Sequence, residues 1–110
     1  MRKLIASALA LGLLASSAFA ADKVVRIGIF QPASGDSGAG GKQETLGSQF
    51  GFHETPTVVI NGEKYNVELV YADNGSSPDK APSAAQKLVS AGVSVVLGSY
   101  GSAVSIAGSR

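Results

Sequence analysis

Val93-Ser94-Val95-Val96-Leu97-Gly98-Ser99-Tyr100-Gly101-Ser102 is the stretch that decides how the rest of the chain is read. β-Branched and aliphatic residues dominate it up to Gly98, where small polar residues take over. Such a run reads as a parallel strand buried on both faces. The polar loop then delivers Ser102 to the start of a helix. In open α/β sheets, ligands bind outside the carboxyl ends of the strands. A serine at a helix N-terminus offers a hydroxyl beside free backbone N–H groups, which suits a carboxylate. The stretch therefore predicts an α/β protein that binds a small anion-bearing molecule. By position alone Ser102 serves equally well as a helix cap, a role worth about 1 kcal/mol.

Working outward, Ala84, Ala85, Leu88 and Val89 form an apolar stripe at helical spacing, closed by Gly92. Ser77-Pro78 has the form of a cap and first helical residue. Pro82 lies too deep for that start, because a proline past the first turn loses a hydrogen bond and clashes, so the helix proper begins near Pro82. Asp73 to Pro78 is a turn cluster, and Asp73 reads first as a turn former that bonds nearby backbone. Tyr65 to Tyr71 alternates as a strand, with Tyr65, Val67, Leu69 and Tyr71 on one face. Asn61-Gly62 marks a hairpin that pairs this strand with Thr57–Ile60. Val24 to Phe30 is the first strand, followed by a glycine-rich loop from Gln31 to Gly41. Lys42 to about Phe52 reads as a helix with Leu46 and Phe50 on its inner face, weakened by Gly47 and Gly51. Strands alternating with helices predict a parallel sheet of three strands, in the order 2-1-3, with crossover helices and a small hairpin.

The first residues belong to no fold. Arg2 and Lys3, an apolar stretch from Leu4 to Leu14, and Ala18-Phe19-Ala20 are the three parts of a secretory signal peptide, with cleavage expected after Ala20. The apolar stretch falls short of the ~20 residues that span a bilayer, so a membrane anchor is not expected. No cysteine follows to carry a lipid. Beyond residue 20 lie 90 residues with seven of the nine basic side chains and all eight acidic ones. That near balance, without clusters, gives no nucleic-acid footprint. The absence of cysteine excludes disulfides and thiolate metal sites. Small exported domains usually need such staples, whereas these strands are the long apolar kind found in larger α/β proteins. The mismatch predicts a piece of a larger fold, residues 21–110 forming part of an N-terminal lobe.

Enzyme motifs fail on spacing. A dinucleotide fingerprint from Gly38 needs glycine or alanine where Gln43 stands, and a P-loop ending at Gly41-Lys42 needs glycine at Asp36 and Ser or Thr at Gln43. Gly35-Asp36-Ser37-Gly38-Ala39 misses the nucleophile elbow because its fifth residue is alanine. His53 is the single histidine and has no partner set for a triad or a metal. No cofactor is expected.

Taken together, Val25-Arg26-Ile27-Gly28-Ile29-Phe30-Gln31-Pro32-Ala33-Ser34-Gly35-Asp36-Ser37-Gly38, Tyr65 to Pro78 and Leu88 to Ser102 resemble, in order, the start of a periplasmic substrate-binding protein of the branched-chain amino acid ABC transporter type. The resemblance implies a type I periplasmic-binding fold, two Rossmann-like lobes hinged around the ligand, of which this chain supplies the first part of lobe 1. It implies that Pro32-Ala33-Ser34-Gly35 is the first ligand-side loop, bringing Ser34 and Gly35 to the site. It implies that Ser102, with Tyr100 and Ala103 beside it, lies where the amino acid carboxylate is held. Gly40 stands where many members carry Tyr or Trp against the ligand side chain.

The function so implied is capture of an amino acid, or a related amide, in the periplasm for delivery to a membrane permease, with no chemistry performed on it. The family's remaining contacts come from a fourth strand and a second lobe, so this chain alone is expected to bind poorly. A ligand-sensing receptor domain of the same fold is the second reading. A nucleotide-binding Rossmann enzyme fragment is the third, disfavoured by the glycine spacing.

Overall fold

Val24–Gln31 forms β1, the strand on which everything else is assembled. Its second half is buried, with Ile27, Gly28, Ile29 and Phe30 covered on both faces of the sheet, as the run of apolar residues requires. The computed structural model describes residues 23–110. The signal peptide expected at 1–20 lies outside the described residues.

Thr57–Ile60 (β2) and Glu63–Asp73 (β3) pair antiparallel through the Asn61-Gly62 turn. Both turn residues have positive φ, 50° and 78°, the geometry that this dipeptide tolerates best. β3 pairs parallel with β1, from Val24 opposite Asn66 to Gln31 opposite Asp73. On the other side of β1, Val95–Leu97 (β4) pairs parallel, with Ile27 opposite Val95. The sheet order is β2-β3-β1-β4, which is the expected 2-1-3 arrangement with the hairpin strand added at one edge.

Among the described residues there are three helices: α1 (Gly38–Glu54), α2 (Ala81–Ser90) and α3 (Ser102–Gly108). One sheet face meets α2 and α3. There Phe30 and Ala72 pack with Ala81, Ala84, Leu88 and Val104 in the main core cluster. Gly28 lies beneath Leu88, and a Cβ on it would stand 3.0 Å from Leu88 Cδ1. Ile27 and Ile29 alternate to the opposite face, where α1 lies against β1.

α2 starts at Ala81, within one residue of the start expected near Pro82, so Pro82 falls in its first turn, where a missing N–H is harmless, while Pro78 belongs to the preceding turn. Regular pairing in β4 starts at Val95 rather than Val93, although Ser94 N–H still donates to Arg26 C=O at 2.8 Å.

The larger correction concerns α1. It begins at Gly38, inside the expected loop, and its buried residues are Gly38 and Gly41. A Cβ on Gly41 would overlap the Pro32 carbonyl oxygen. The glycine is there to let the helix approach backbone, rather than to loosen a loop. Gly41, Thr45, Ser48 and Phe52 then form the inward face at helical spacing, each buried or half-buried. Leu46 and Phe50, expected inside, are 64% and 67% exposed on the outer side.

Candidate functional site

The carboxyl ends of β1, β3 and β4 open into three loops, residues 32–37, 74–80 and 98–101, and these loops are stitched to one another. Asp73 closes β3 and reaches across to the first loop. Its Oδ1 accepts the N–H groups of Ala33 and Gly75, each at 2.8 Å, and its Oδ2 accepts the Ser34 hydroxyl at 2.8 Å. Burial alone would raise the Asp73 pKa. The hydrogen bonds from Ala33, Gly75 and Ser34 outweigh it and hold the carboxyl below its ordinary value. Ser76 adds a second stitch, donating from Oγ to the Ser34 carbonyl at 2.7 Å and accepting from Ser37 N–H at 3.0 Å.

The third loop is tied in by two buried amides. Asn74 is fully buried; its Nδ2 donates to Ser99 Oγ at 2.8 Å and its Oδ1 accepts Ser76 N–H at 3.1 Å. Gln31, at the end of β1, accepts Tyr100 N–H at 2.7 Å on Oε1 and donates from Nε2 to Glu44 Oε2 at 2.6 Å. Gly98 makes the close passage possible. With φ 130°, it crosses the Phe30 carbonyl where a Cβ would overlap it.

The structure brings the residues singled out in the sequence to this one end of the sheet, in unequal states. Ser102 and Ala103 are exposed in the first turn of α3. The residue capping that helix is Gly101 and makes no side-chain cap bond, so Ser102 is not the cap. Its hydroxyl has no hydrogen-bond partner among the described residues. Tyr100 is half exposed, and its ring lies over Gly40; a Cβ there would stand 2.8 Å from ring carbons. Ser34 is exposed, but its hydroxyl is engaged by Asp73. Gly35 is exposed with φ 78°, packed against the Gly75–Ser76 turn. His53 lies apart from the group, exposed in the last turn of α1.

Gln31, Asn74, Ser99 and Ser105 were not singled out by sequence reasoning. For Gln31 a signal existed: an amide directly following an apolar strand on the ligand-side end. Among the described residues, no group of three or more His, Cys, Asp and Glu side chains is arranged to hold a metal ion. No helix of the described residues is long and apolar enough to cross a membrane. What the arrangement offers chemically is the free hydroxyl of Ser102 and the first-turn N–H groups of α3 at the end of the sheet where the Tyr100 ring lies.

Comparison with known proteins places these features in context. The sequence model of a family described as periplasmic binding protein matches residues 24–110. No curated protein matches the chain. Among solved structures, a leucine binding protein of Thermotoga maritima is similar at 32% identity and TM-score 0.68, over 76% of this chain and 23% of that one. The substrate binding protein of a branched-chain amino acid transporter from Streptococcus pneumoniae, solved with isoleucine, is similar at 30% identity and TM-score 0.66, over 78% of this chain and 25% of that one. An ABC transporter solute binding protein from R. palustris, solved with benzoate, shares the fold at 24% identity and TM-score 0.67, over 77% of this chain. The chain thus spans about a quarter of the length of the first two structures.

Proposed function

The chain belongs to the periplasmic binding protein family, and from that membership we propose that it serves an ABC importer by binding a small carboxylate-bearing solute. The solute class is an amino acid of branched-chain type or a related amide. Relatives solved with isoleucine and with benzoate support a ligand that joins a carboxylate to an apolar body. The observation that carries the reading is the convergence of three stitched loops at the carboxyl ends of β1, β3 and β4, with the Ser102 hydroxyl left free among them. Ser102 and Ala103 hold the carboxylate, while Tyr100 and the Ser34-Gly35 loop line its approach. The bound solute passes unchanged to a membrane permease. Residues 1–20 fit export to the periplasm, where such capture takes place.

Hydrogen bonds to a charged group contribute about 1.5–3 kcal/mol each. In the full-length protein, Ser102→Ala should therefore weaken carboxylate binding roughly 10- to 150-fold. Calorimetric titration with leucine, isoleucine and benzoate checks this. A Ser102→Ala protein that binds as tightly as the wild type removes Ser102 from the site.

A further inference from the structure

The backbone that presents Tyr100 and Ser102 is held by side chains. Among the described residues, no backbone group of Ser99 or Tyr100 pairs with another backbone group. Instead Tyr100 N–H goes to Gln31 Oε1 at 2.7 Å and Ser99 N–H goes to Ser105 Oγ at 3.0 Å. Ser105 Oγ donates to the Ser99 carbonyl at 3.1 Å, and Ser99 Oγ donates to the Tyr100 carbonyl at 3.1 Å. The anchors that come from other strands are two amides, Gln31 from β1 and Asn74 from the end of β3, and both are buried.

Each amide is also fixed on its far side. Gln31 donates to Glu44 of α1, and Asn74 accepts from Ser76 and donates to the Phe30 carbonyl at 3.4 Å. A buried primary amide is costly to leave unpaired, so such a pair of bonds determines its orientation. Packing alone would favour an aliphatic residue at the end of β1, as at Ile27 and Ile29. Two buried amides aimed at one exposed loop, each braced from behind, are placed to hold that loop still.

We propose that Gln31 and Asn74 are positioning residues of the solute site. Together they form a two-point amide clamp that fixes residues 99–101, and through them Tyr100 and Ser102, before the solute arrives. The proposal rests on the reading of this loop as the solute-facing one. A loop ordered in advance binds more tightly, because its ordering no longer opposes association.

Gln31→Met tests the clamp, since it keeps length and apolar contact but removes the acceptor for Tyr100 N–H. The double variant Gln31→Glu with Glu44→Gln reverses the bond between these two residues and retains an acceptor for Tyr100. Ser99→Ala removes the partner of Asn74 while leaving Asn74 bonded to Ser76 and Phe30, which avoids emptying a buried position. Amide exchange at Tyr100, followed by NMR without solute, reads the clamp directly. It should quicken roughly 2- to 12-fold in Gln31→Met and in Ser99→Ala, and return towards wild type in the double variant. Calorimetric titration of the full-length protein, second lobe included, with leucine, isoleucine and benzoate reads the link to binding. Whichever of these the wild type binds should bind more weakly by a similar factor in the first two variants and recover in the double variant. Unchanged exchange in Gln31→Met overturns the clamp, whether or not a solute binds. Faster exchange with unchanged affinity overturns the positioning role and leaves the solute reading standing. A full-length wild-type protein, second lobe included, that binds none of the three, with exchange as expected, overturns the solute reading and the positioning role together.

Discussion

Asp73 organises the strand ends through one carboxylate, and its titration exposes that role. Burial alone would push its pKa up, but bonds from Ala33 N–H, Gly75 N–H and Ser34 Oγ bring it below the ordinary aspartate value. With the folded value depressed, the unfolded chain takes up the proton first as pH falls. The stabilising contribution is complete above the ordinary aspartate value of about 3.9 and is lost as pH drops through the lower folded value. Around neutral pH the contribution of Asp73 is therefore constant. Carboxyl-carbon NMR should place the Asp73 midpoint below that of an unstructured peptide, and Asp73→Asn should remove its share of the acid sensitivity of the melt. A midpoint at or above the peptide value rejects the hydrogen-bonded geometry. Residues of this kind were partly legible in the sequence. The turn role of Asp73 follows from the Asp-Asn-Gly run, and the exposure of Ser102 follows from its place after a strand. The bonds of Gln31 and Asn74 were not legible, although the place of Gln31 at a strand end was a signal, because their partners lie far along the chain: Tyr100 is 69 residues from Gln31, and Ser99 is 25 residues from Asn74. Local pattern carries no information about a bond of that span.

At the scale of elements, the strands were easier to read than α1. Strand patterns repeat every two residues and were anchored by strong punctuation at Asn61-Gly62 and Gly98. In α1, Leu46 and Phe50 were the most apolar pair at helical spacing, and they lie outside. The inward face is set instead where the helix approaches backbone, Gly41 against Pro32 and Gly38 against Ala33, and glycines on a contact face leave no hydropathy signal. The helix's glycines therefore divide into two kinds with opposite expected behaviour. Gly41→Ala forces a methyl group into the Pro32 carbonyl and should destabilise the protein by about 1–3 kcal/mol through overpacking. Gly47 is exposed within the helix, with nothing within 4 Å of an added Cβ. Gly47→Ala should stabilise by up to about 1 kcal/mol, since alanine is the better helix former and loses less backbone freedom. Thermal or urea melts of the two variants should move in opposite directions. A common direction of shift would mean that α1 is not seated on Pro32.

At the scale of the whole molecule, β2 and β4 are the two edges of the sheet among the described residues. β2 exposes Val59 and Ile60 (72% and 41%) but is flanked by Pro56 on one side and, beyond the turn, by Glu63 and Lys64 on the other. On the other side, β4 has β1 as its one neighbour among the described residues, and Val95, Val96 and Leu97 are 49%, 42% and 36% exposed. Beside that edge, a groove of about 300 Å³ lined by Phe30, Ala85, Val89 and Val96 runs between α2 and α3. An uncharged edge of β-branched residues offers unpaired N–H and C=O groups as a template for another strand, and no lysine, proline or bulge protects it. Copies of the chain should therefore associate through β4 as concentration rises. Val95→Lys is the discriminating change. Position 95 is half exposed, so a lysine there can lay its stem along the strand and keep its ammonium in water, and like charges then oppose edge-to-edge pairing. Sedimentation of the wild type should show association that grows with concentration, and Val95→Lys should suppress it without changing the circular dichroism of the monomer. Leu46→Lys, on the outer side of α1, supplies the same charge away from the edge and should leave association intact. If Leu46→Lys disperses the protein as fully as Val95→Lys, general repulsion accounts for the effect and the β4 edge is not the contact.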